Sequence, residues 1–344
     1  MDWNMERDNR DIANVEFIPW DKLRNKAILV TGATGLVGTA LIRALLYVNK
    51  EKQLGLTVVA LVRDLEKARQ KFGDVCGEAL RFVTGSVEQT DSIDGQVDYI
   101  VHGASKTASR AFVNQAVETI QTSVLGTMNM LKIARDHRAS GFVYLSSMEM
   151  YGYPEKGHVV LEHEAGAMSP LDLRNSYPIS KQMCEALCCA FAREYGVPAT
   201  IARLTQTFGP GAADNDTRIF AYIAKCVAEK RNIVLKTKGE TERCYLYTAD
   251  AVTAILAILL KGEPGQAYNC ANEETYCSIS EMAENIAKQA GIAVEYQIED
   301  EAANGYPQQV LYMHLGTEKL KGLGWRPMGK GYPVQHDHKQ ACNV

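Results

Sequence analysis

The chain has 344 residues, of which 46% are hydrophobic, and a formal net charge of -4. This is enough apolar material for one large domain or two closely packed ones. The small negative charge, without any long run of Lys or Arg, argues against binding to nucleic acid or to an anionic membrane. No apolar run is long enough for a membrane span, and the charged residues 1–10 differ from a signal peptide. We therefore expect a cytoplasmic protein.

Residues 1–25 begin with charged and polar side chains, and we expect an N-terminal arm that lies on the surface. From residue 26 onwards, short apolar runs typical of buried strands alternate with helical patterns. Strands are predicted at residues 26–30, 57–62, 81–83, 97–101, 142–145 and 199–204, and helices at 36–48, 117–135 and 181–195. This alternation implies an α/β fold with a doubly wound parallel sheet covered on both faces.

Three glycines separate the first predicted strand from the first helix. Gly32, Gly35 and Gly38 have GxxGxxG spacing. The first permits a tight turn, the second lets backbone N–H groups approach a pyrophosphate, and the third lets the helix pack on the sheet. The positive end of the helix then faces the anion. In this strand–turn–helix context, the spacing predicts a dinucleotide cofactor.

The end of the second strand bears on the choice between NAD and NADP. NAD-binding proteins usually place an acidic residue there, on the ribose 2′-OH, but this chain has Val62. Arg63 could meet a 2′-phosphate, and Asp64 could serve a 2′-OH if the strand ends one or two residues later. Alternatively, both are ordinary turn residues.

The pair Tyr177 and Lys181 has YxxxK spacing, which places both side chains on one face of a helix. A phenol there can take a proton from a sugar hydroxyl as hydride leaves its carbon, and a nearby ammonium lowers the phenol pKa and can hold the nicotinamide ribose. Ser147 ends the preceding strand and can hydrogen-bond the same substrate oxygen. Its alternative role is a helix or turn cap.

The regular alternation of strands and helices changes after Gly209-Pro210, and shorter elements follow. We predict an NAD(P)-binding Rossmann domain at residues 26–206, a mainly substrate-binding lobe at 207–328 and a surface tail at 329–344. His336 and His338 in that tail are expected to be solvated, and no metal site is predicted. The nine cysteines include no CxxC pair, so free buried thiols are expected rather than disulfides.

Together these motifs resemble the extended short-chain dehydrogenase/reductase family of nucleotide-sugar epimerases, dehydratases and decarboxylases. The similarity covers residues 26–327. It rests on TGATGLVG at 31–38, HGAS at 102–105, YLSSMEMYG at 144–152, YPISK at 177–181, RLTQTFGPG at 203–211, Arg243, YTAD at 247–250 and LGWRP at 323–327. Within the family, residues 119–131, 174–177 and 206–210 are most similar to UDP-glucuronate decarboxylases.

The resemblance implies the roles of individual residues. Ser147, Tyr177 and Lys181 would form the catalytic triad, and Glu149 would be the acid–base glutamate of decarboxylases and 4,6-dehydratases. The cofactor, NAD with NADP as the alternative, would contact Gly32, Thr34, Gly35, Leu36, Val37, Gly38, Arg63, Asp64, Ser86, Val87, Gly103, Ala104, Ser105, Tyr177 and Lys181. A nucleotide-sugar substrate would contact Gln206, Arg218 and Arg243. Arginine suits phosphate oxygens through its planar fork.

Several of these assignments have structural alternatives. Glu149 could instead cap a short helix or pair with a cation, and Arg218 and Arg243 could be solvated. The helices that begin near Val117 and Lys181 carry apolar residues on more than one face. Family members pair such helices across a two-fold axis, so we expect a homodimer.

The sequence also departs from the family pattern. Met148 stands where dehydratases carry an Asp that protonates the departing hydroxyl, which argues against dehydration. Gln206 replaces an expected Asn and Lys236 an expected aromatic residue, so the nucleotide and sugar stay open. Epimerisation, decarboxylation and dehydration through a transient 4-keto sugar form the main hypothesis. An NADPH-dependent reductase and a catalytically silent dinucleotide sensor are the alternatives.

Overall fold

Helices and strands alternate along most of the chain in the computed structural model, which describes residues 4–73, 75–107, 109–212, 216, 218–298 and 310–329. The strands are β1 (Ala27–Thr31), β2 (Thr57–Val62), β3 (Leu80–Thr84), β4 (Tyr99–His102), β5 (Gly141–Ser147), β6 (Val159–Val160), β7 (Ala199–Leu204), β8 (Gln206–Phe208), β9 (Ile233–Leu235), β10 (Glu242–Tyr247), β11 (Ala267–Cys270), β12 (Asn272–Ser278), β13 (Val294–Tyr296) and β14 (Tyr312–Leu315). The α-helices are α1 (Met5–Ala13), α2 (Leu36–Lys52), α3 (Leu65–Phe72), α4 (Ser109–Asn114), α5 (Ala116–Asp136), α6 (Ser176–Tyr195), α7 (Ile219–Ala228), α8 (Thr248–Lys261), α9 (Ile279–Ala290) and α10 (Glu318–Gly322). Short 3₁₀ helices cover Trp20–Leu23, Met148–Tyr151 and Leu173–Asn175.

Seven strands form a parallel sheet in the order β3–β2–β1–β4–β5–β7–β11. Helices α2 and α8 contribute to the core on one face, and α5 and α6 to the core on the other. Because both faces are covered, β1 is buried along its whole length, which explains its uninterrupted apolar sequence. The predicted α/β fold with a doubly wound parallel sheet is confirmed. The strand order reverses between β1 and β4, and such a switch point opens a crevice at the carboxyl ends of the strands.

A second sheet has the order β12–β10–β14–β6, and all its strands except β6 come from the C-terminal half of the chain. Strand β10 pairs in parallel with β14 near its start and with β8 near its end, while β12 runs antiparallel to it. Strands β9 and β13 pair separately. After β10 the chain returns through α8 to β11, the edge strand of the seven-stranded sheet. The division into a cofactor domain and a substrate lobe at residue 206 stays a prediction.

The N-terminal segment is packed into the protein and does not lie on its surface as an arm. Ile12 and Ala13 of α1 are buried, and the Tyr247 hydroxyl donates a hydrogen bond of 2.7 Å to the Asp8 carboxylate. Trp20 is also buried. Of the charged residues that suggested an arm, Glu6 and Arg10 are exposed, while the side of α1 that carries Asp8 and Ile12 packs on α2 and α8.

Three further expectations concern membrane spans, the tail histidines and the cysteines. Among the described residues, no helix combines the length and the apolar composition needed to cross a bilayer. His336 and His338 lie outside the described residues. The cysteines that the structure describes are all free, and most are buried.

Candidate active site

The glycine-rich loop joins β1 to α2 at the carboxyl edge of the seven-stranded sheet. Gly32 has a φ of +70°, and a Cβ atom there would lie 2.6 Å from the carbonyl oxygen of Gly103. A Cβ atom on Gly38 would clash with the carbonyl oxygen of Gly32. Glycines at these two positions therefore let the loop, the segment after β4 and the start of α2 approach each other closely.

The start of α2 fits a bound pyrophosphate. Gly35 is its N-cap, and the first turn has neither a side-chain cap nor an acidic residue. The first N–H groups of a helix have no acceptor within it, so an anion can take that place. Thr34, Leu36 and Val37 are half-buried in the loop and the first turn, as the predicted cofactor contacts require.

A series of buried hydrogen bonds joins β1, β4 and α5 beneath the glycine-rich loop. The Thr31 hydroxyl lies 2.7 Å from Nδ1 of His102 and accepts hydrogen bonds from the backbone N–H groups of Gly103 (3.2 Å) and Ala104 (3.1 Å). Nε2 of His102 lies 3.1 Å from the Thr127 hydroxyl. Burial, with a contribution from Lys181, lowers the pKa of His102 to about 3. His102 is therefore a neutral structural link between β1, β4 and α5.

The residues after β2 lie at the same carboxyl edge of the seven-stranded sheet as the glycine-rich loop. We call this edge, with the segments that follow β1, β2, β3 and β4, the cofactor edge. Strand β2 ends at Val62, and the Asp64 carboxylate accepts a hydrogen bond of 2.9 Å from the backbone N–H of Lys67 as the N-cap of α3. Asp64 would reach a ribose 2′-OH only if β2 ended one or two residues later, and the strand does not extend that far. Arg63 is exposed.

The segments after β3 and β4 lie at this same edge. Ser86 and Val87 follow β3, and Asn129 of α5 donates a hydrogen bond of 3.1 Å to the carbonyl oxygen of Val87. Ser105 follows β4, and its hydroxyl donates to the carbonyl oxygen of Lys106 at 3.4 Å. The structure thus gathers the predicted cofactor residues at the carboxyl ends of adjacent strands.

The predicted triad comes together where β5 ends beside α6. The Ser147 hydroxyl lies close enough to the Tyr177 side chain to lower its pKa, and the Lys181 ammonium lies 5.4 Å from the centre of the Tyr177 ring. Lys181 also donates a hydrogen bond of 2.7 Å to the carbonyl oxygen of Leu145. Ser147 is in addition the N-cap of the 3₁₀ helix Met148–Tyr151. Its capping role and its contact with Tyr177 therefore coexist.

Burial controls the protonation of this triad. It raises the pKa of Tyr177, with a further upward effect of Glu149, while the Ser147 hydroxyl and the charge of Arg174 act in the opposite direction. Burial lowers the pKa of Lys181 to about 8, although nearby acidic groups, including Glu149, partly oppose this effect. The phenol therefore depends on neighbouring positive charge to act as a base.

Glu149 pairs with a residue that sequence analysis did not assign to the site. Its carboxylate lies 2.9 Å from Nη2 of Arg174. The Arg174 guanidinium lies 4.9 Å from the centre of the Phe112 ring, and that ring stacks on Tyr177 with a centroid distance of 4.3 Å. The signal was present in the sequence, since Arg174 precedes Tyr177 by three residues. Phe112 carries no comparable signal.

The predicted substrate residues lie on and beside the second sheet. Gln206 begins β8 and is in register with Tyr245 of β10. The buried Nε atom of Arg243 and the buried Tyr245 hydroxyl have no hydrogen-bond partner among the described residues. Buried polar groups are rarely left unpaired, so a ligand with acceptor groups fits this place. Arg218 is half-exposed and pairs with Asp216 at 2.6 Å.

A buried ion pair beside the triad connects α6 to β7 of the seven-stranded sheet. Glu185, one turn after Lys181 on α6, lies 2.6 Å from Nη2 of Arg203 and accepts a hydrogen bond of 2.5 Å from the Ser146 hydroxyl. Arg203 also donates to the Tyr151 hydroxyl at 2.6 Å. Because these residues flank Ser147 and Lys181, the network fixes β5 against α6.

The comparison with known proteins places this site in a family. The model of the NAD dependent epimerase/dehydratase family matches residues 28–271. This match covers more than half of the chain, which therefore belongs to that family. The resemblance read from the motifs, the nicotinamide cofactor and the assignment as an enzyme of epimerase/dehydratase type are confirmed at the level of the family.

Individual relatives cover most of the chain at low identity. It is 26% identical over 317 residues to the dTDP-D-glucose 4,6-dehydratase of Homo sapiens, a match that covers 88% of this chain and 85% of that protein. It is 28% identical over 305 residues to UDP-glucuronic acid decarboxylase 1 of Xenopus tropicalis, which covers 88% of this chain and 69% of that protein. These two relatives catalyse different reactions, so identity alone does not select between them.

Solved structures share the fold. The UDP-N-acetylglucosamine 4-epimerase of Methanobrevibacter ruminantium M1 superposes with a TM-score of 0.76 at 17% identity and covers 91% of this chain and 96% of its own. A dTDP-glucose 4,6-dehydratase from Streptomyces venezuelae, solved with NAD bound, has a TM-score of 0.72 at 22% identity and covers 88% and 92%.

Proposed function

We propose that this chain is a nucleotide-sugar enzyme that oxidises a sugar at C4 and reduces the product again within one catalytic cycle. The observation that carries this proposal is the convergence of Ser147, Tyr177 and Lys181 beside the glycine-rich loop. A dinucleotide sensor would not need a proton acceptor at this position. The relatives named above act on nucleotide sugars according to their names, which supports the substrate class.

The proposed roles follow from the geometry. NAD held at the glycine-rich loop would supply the hydride acceptor and donor for this cycle. Tyr177 takes the proton of the sugar 4-hydroxyl, Ser147 hydrogen-bonds the same oxygen, and Lys181 favours the deprotonated phenol by its charge. The unpaired Nε atom of Arg243 suits a phosphate oxygen of the nucleotide. Gln206 and Arg218 are proposed to contact the substrate beside it, and Arg218 would have to leave Asp216 to do so.

We further propose that Glu149 handles a proton at C5. A ketone at C4 acidifies the C5–H bond and activates a carboxylate on C5 for loss of CO₂. Met148, which lies between Ser147 and Glu149, is buried and cannot donate a proton to a leaving hydroxyl. Decarboxylation or epimerisation therefore fits this site better than dehydration.

Two measurements test this function. Purified enzyme is incubated with UDP-, dTDP-, GDP- and CDP-sugars, and mass spectrometry and chromatography distinguish loss of CO₂, loss of water and isomerisation. The Glu149→Gln variant is then incubated with the nucleotide sugar that the wild-type enzyme converts. For chemistry at C5, this variant should form reduced cofactor and a trapped 4-keto sugar and then stall. Turnover of Glu149→Gln at the full rate would contradict the role at C5, and loss of water from the wild type would contradict the argument from Met148.

A second candidate function is a net reductase that consumes NADPH. The exposed Arg63 at the end of β2 favours it, because that position could contact a 2′-phosphate. We propose NAD as the resident cofactor, so Arg63→Ala should change the affinity for NAD little. If NADP is the cofactor recovered from purified protein and Arg63→Ala weakens its binding at least about tenfold, roughly 1.4 kcal/mol, NADP replaces NAD as the assigned cofactor. Net consumption of NADPH, followed at 340 nm, would then identify a reductase.

We also propose a homodimer formed through α5 and α6. Val117 is 65% exposed, and Ile120, Leu125 and Met183 are exposed on the same pair of helices. An apolar surface of this kind is typical of protein interfaces. Light scattering at micromolar concentration should give twice the mass of one chain, and a monomer would contradict the proposal. The free thiols agree with a cytoplasmic location, which we propose as well.

A further inference from the structure

We propose that Arg174 is a positioning residue, which holds the Glu149 carboxylate beside Tyr177 and compensates its charge there. This inference rests on the proposed function, in which Glu149 and Tyr177 both handle protons. Its basis is the ion pair of 2.9 Å between Nη2 of Arg174 and Glu149. Arg174 belongs to the 3₁₀ helix Leu173–Asn175, directly before the helix that carries Tyr177.

One backbone contact and one side-chain contact hold Arg174. Asp172 accepts a hydrogen bond of 2.9 Å from its backbone N–H and thereby caps the 3₁₀ helix. The guanidinium lies 4.9 Å from the centre of the Phe112 ring, within the range of a cation–π contact. Phe112 is itself held, because its carbonyl oxygen accepts a hydrogen bond of 2.7 Å from Ser176. Guanidinium, Phe112 ring and Tyr177 ring therefore form one ordered stack.

The site needs such compensation because it places two potential anions side by side. A carboxylate next to a phenolate disfavours the charged phenol, and burial strengthens this effect. Glu149 raises the pKa of Tyr177, and Arg174 lowers it. Lys181 and Cys184 of α6 also face Tyr177, as does the buried Tyr144 of β5.

Of these groups Lys181 is the other cation, and it already hydrogen-bonds Leu145. Among the described residues, Arg174 is the one cation paired with Glu149. Its loss would leave the Glu149 charge beside the base without a counter-ion. The expected consequence is a base that works only at higher pH.

The test uses the rate at which reduced cofactor first forms on mixing the NAD-loaded enzyme with substrate, measured against pH. Arg174→Met should move the rising limb of this profile upward by about one pH unit, which is about a tenfold loss of rate at a fixed pH below the limb. Arg174→Lys keeps the charge and should recover most of the rate. Arg193→Met, an exposed arginine of the same α6 region, is the matched control and should behave as the wild type.

Removal of Glu149 shows whether Arg174 acts through it. Glu149→Gln should move the limb to lower pH, and the double variant Glu149→Gln/Arg174→Met should lie near the wild type. A tenfold loss in Arg174→Met with an unmoved limb would overturn the proposal and leave only a structural role. So would an effect of equal size with and without Glu149. If Glu149→Gln completes turnover at full rate, the C5 chemistry fails, while a limb shift in Arg174→Met still supports the compensation.

Discussion

The cofactor edge and strand β10, where we propose that substrate binds, differ in whether their buried polar groups have hydrogen-bond partners. At the cofactor edge, Thr31, His102 and Thr127 hydrogen-bond one another. On the substrate side, the Nε atom of Arg243 and the Tyr245 hydroxyl are buried without partners among the described residues. The first region is organised by the chain itself. The second contains donors that a ligand would complete, at a cost in stability when it is absent.

This contrast predicts different consequences of mutation in the two regions. Changes at the cofactor edge should affect folding and cofactor binding together, because the same contacts serve both. Changes among the unpaired groups should affect substrate binding with little loss of stability. The triad lies between the regions, and changes there should affect chemistry alone.

The largest effect is expected for Tyr177→Phe. The variant keeps the ring that stacks on Phe112 and removes only the proton acceptor. Proton transfer to a positioned side chain contributes about a hundredfold to ten-thousandfold to rate, and turnover should fall by a factor in this range. Isothermal titration should give an unchanged cofactor affinity. An active Tyr177→Phe enzyme would remove the mechanism.

Gly38→Ala tests the cofactor edge. Its Cβ atom would meet the backbone of Gly32, so strand and helix would have to separate. We expect a loss of at least about 2 kcal/mol in the free energy of unfolding, together with weaker NAD binding. Gly322→Ala in α10 is the control, because nothing lies within 4 Å of its added Cβ atom. Equal melting temperatures for the two variants would refute the close packing.

Arg243→Met tests the substrate side. Removal of a charge-assisted hydrogen bond should raise KM for the nucleotide sugar by about tenfold to a hundredfold. The NAD affinity and the melting temperature should stay near those of the wild type. Arg231→Met, which changes an exposed arginine paired with Glu229, should alter none of these quantities. A KM unchanged in Arg243→Met would show that the unpaired Nε atom does not serve substrate.

The smallest effect concerns acid stability through His102. The folded chain keeps His102 neutral down to about pH 3, whereas the unfolded chain takes up a proton near pH 6.5. The unfolded state therefore binds more protons between these values, and stability falls as pH decreases. Between about pH 7 and about pH 5.5 this residue should account for a loss of about 1 kcal/mol. Denaturant titrations should find that loss absent in His102→Gln, and an identical pH dependence would contradict the assignment.

Local patterns allowed the cofactor edge and the triad to be predicted from the sequence. The glycine spacing, the apolar run of β1 and the positions of Tyr177 and Lys181 depend on neighbours a few residues away. The ion pair of Glu149 with Arg174 and the pairing of β8 with β10 join segments distant in sequence. Periodicity carries no information on such contacts. The buried face of α1 was missed because charged residues dominate its composition.

The central claim is a cycle of oxidation and reduction at one sugar carbon without net use of cofactor. Rapid mixing of the NAD-loaded enzyme with its nucleotide sugar, followed by near-ultraviolet absorbance, tests it most directly. Reduced cofactor should appear and disappear in the wild type, accumulate in Glu149→Gln and never appear in Tyr177→Phe. Steady consumption of added reduced cofactor by the wild type, with a reduced sugar as product, would contradict the claim.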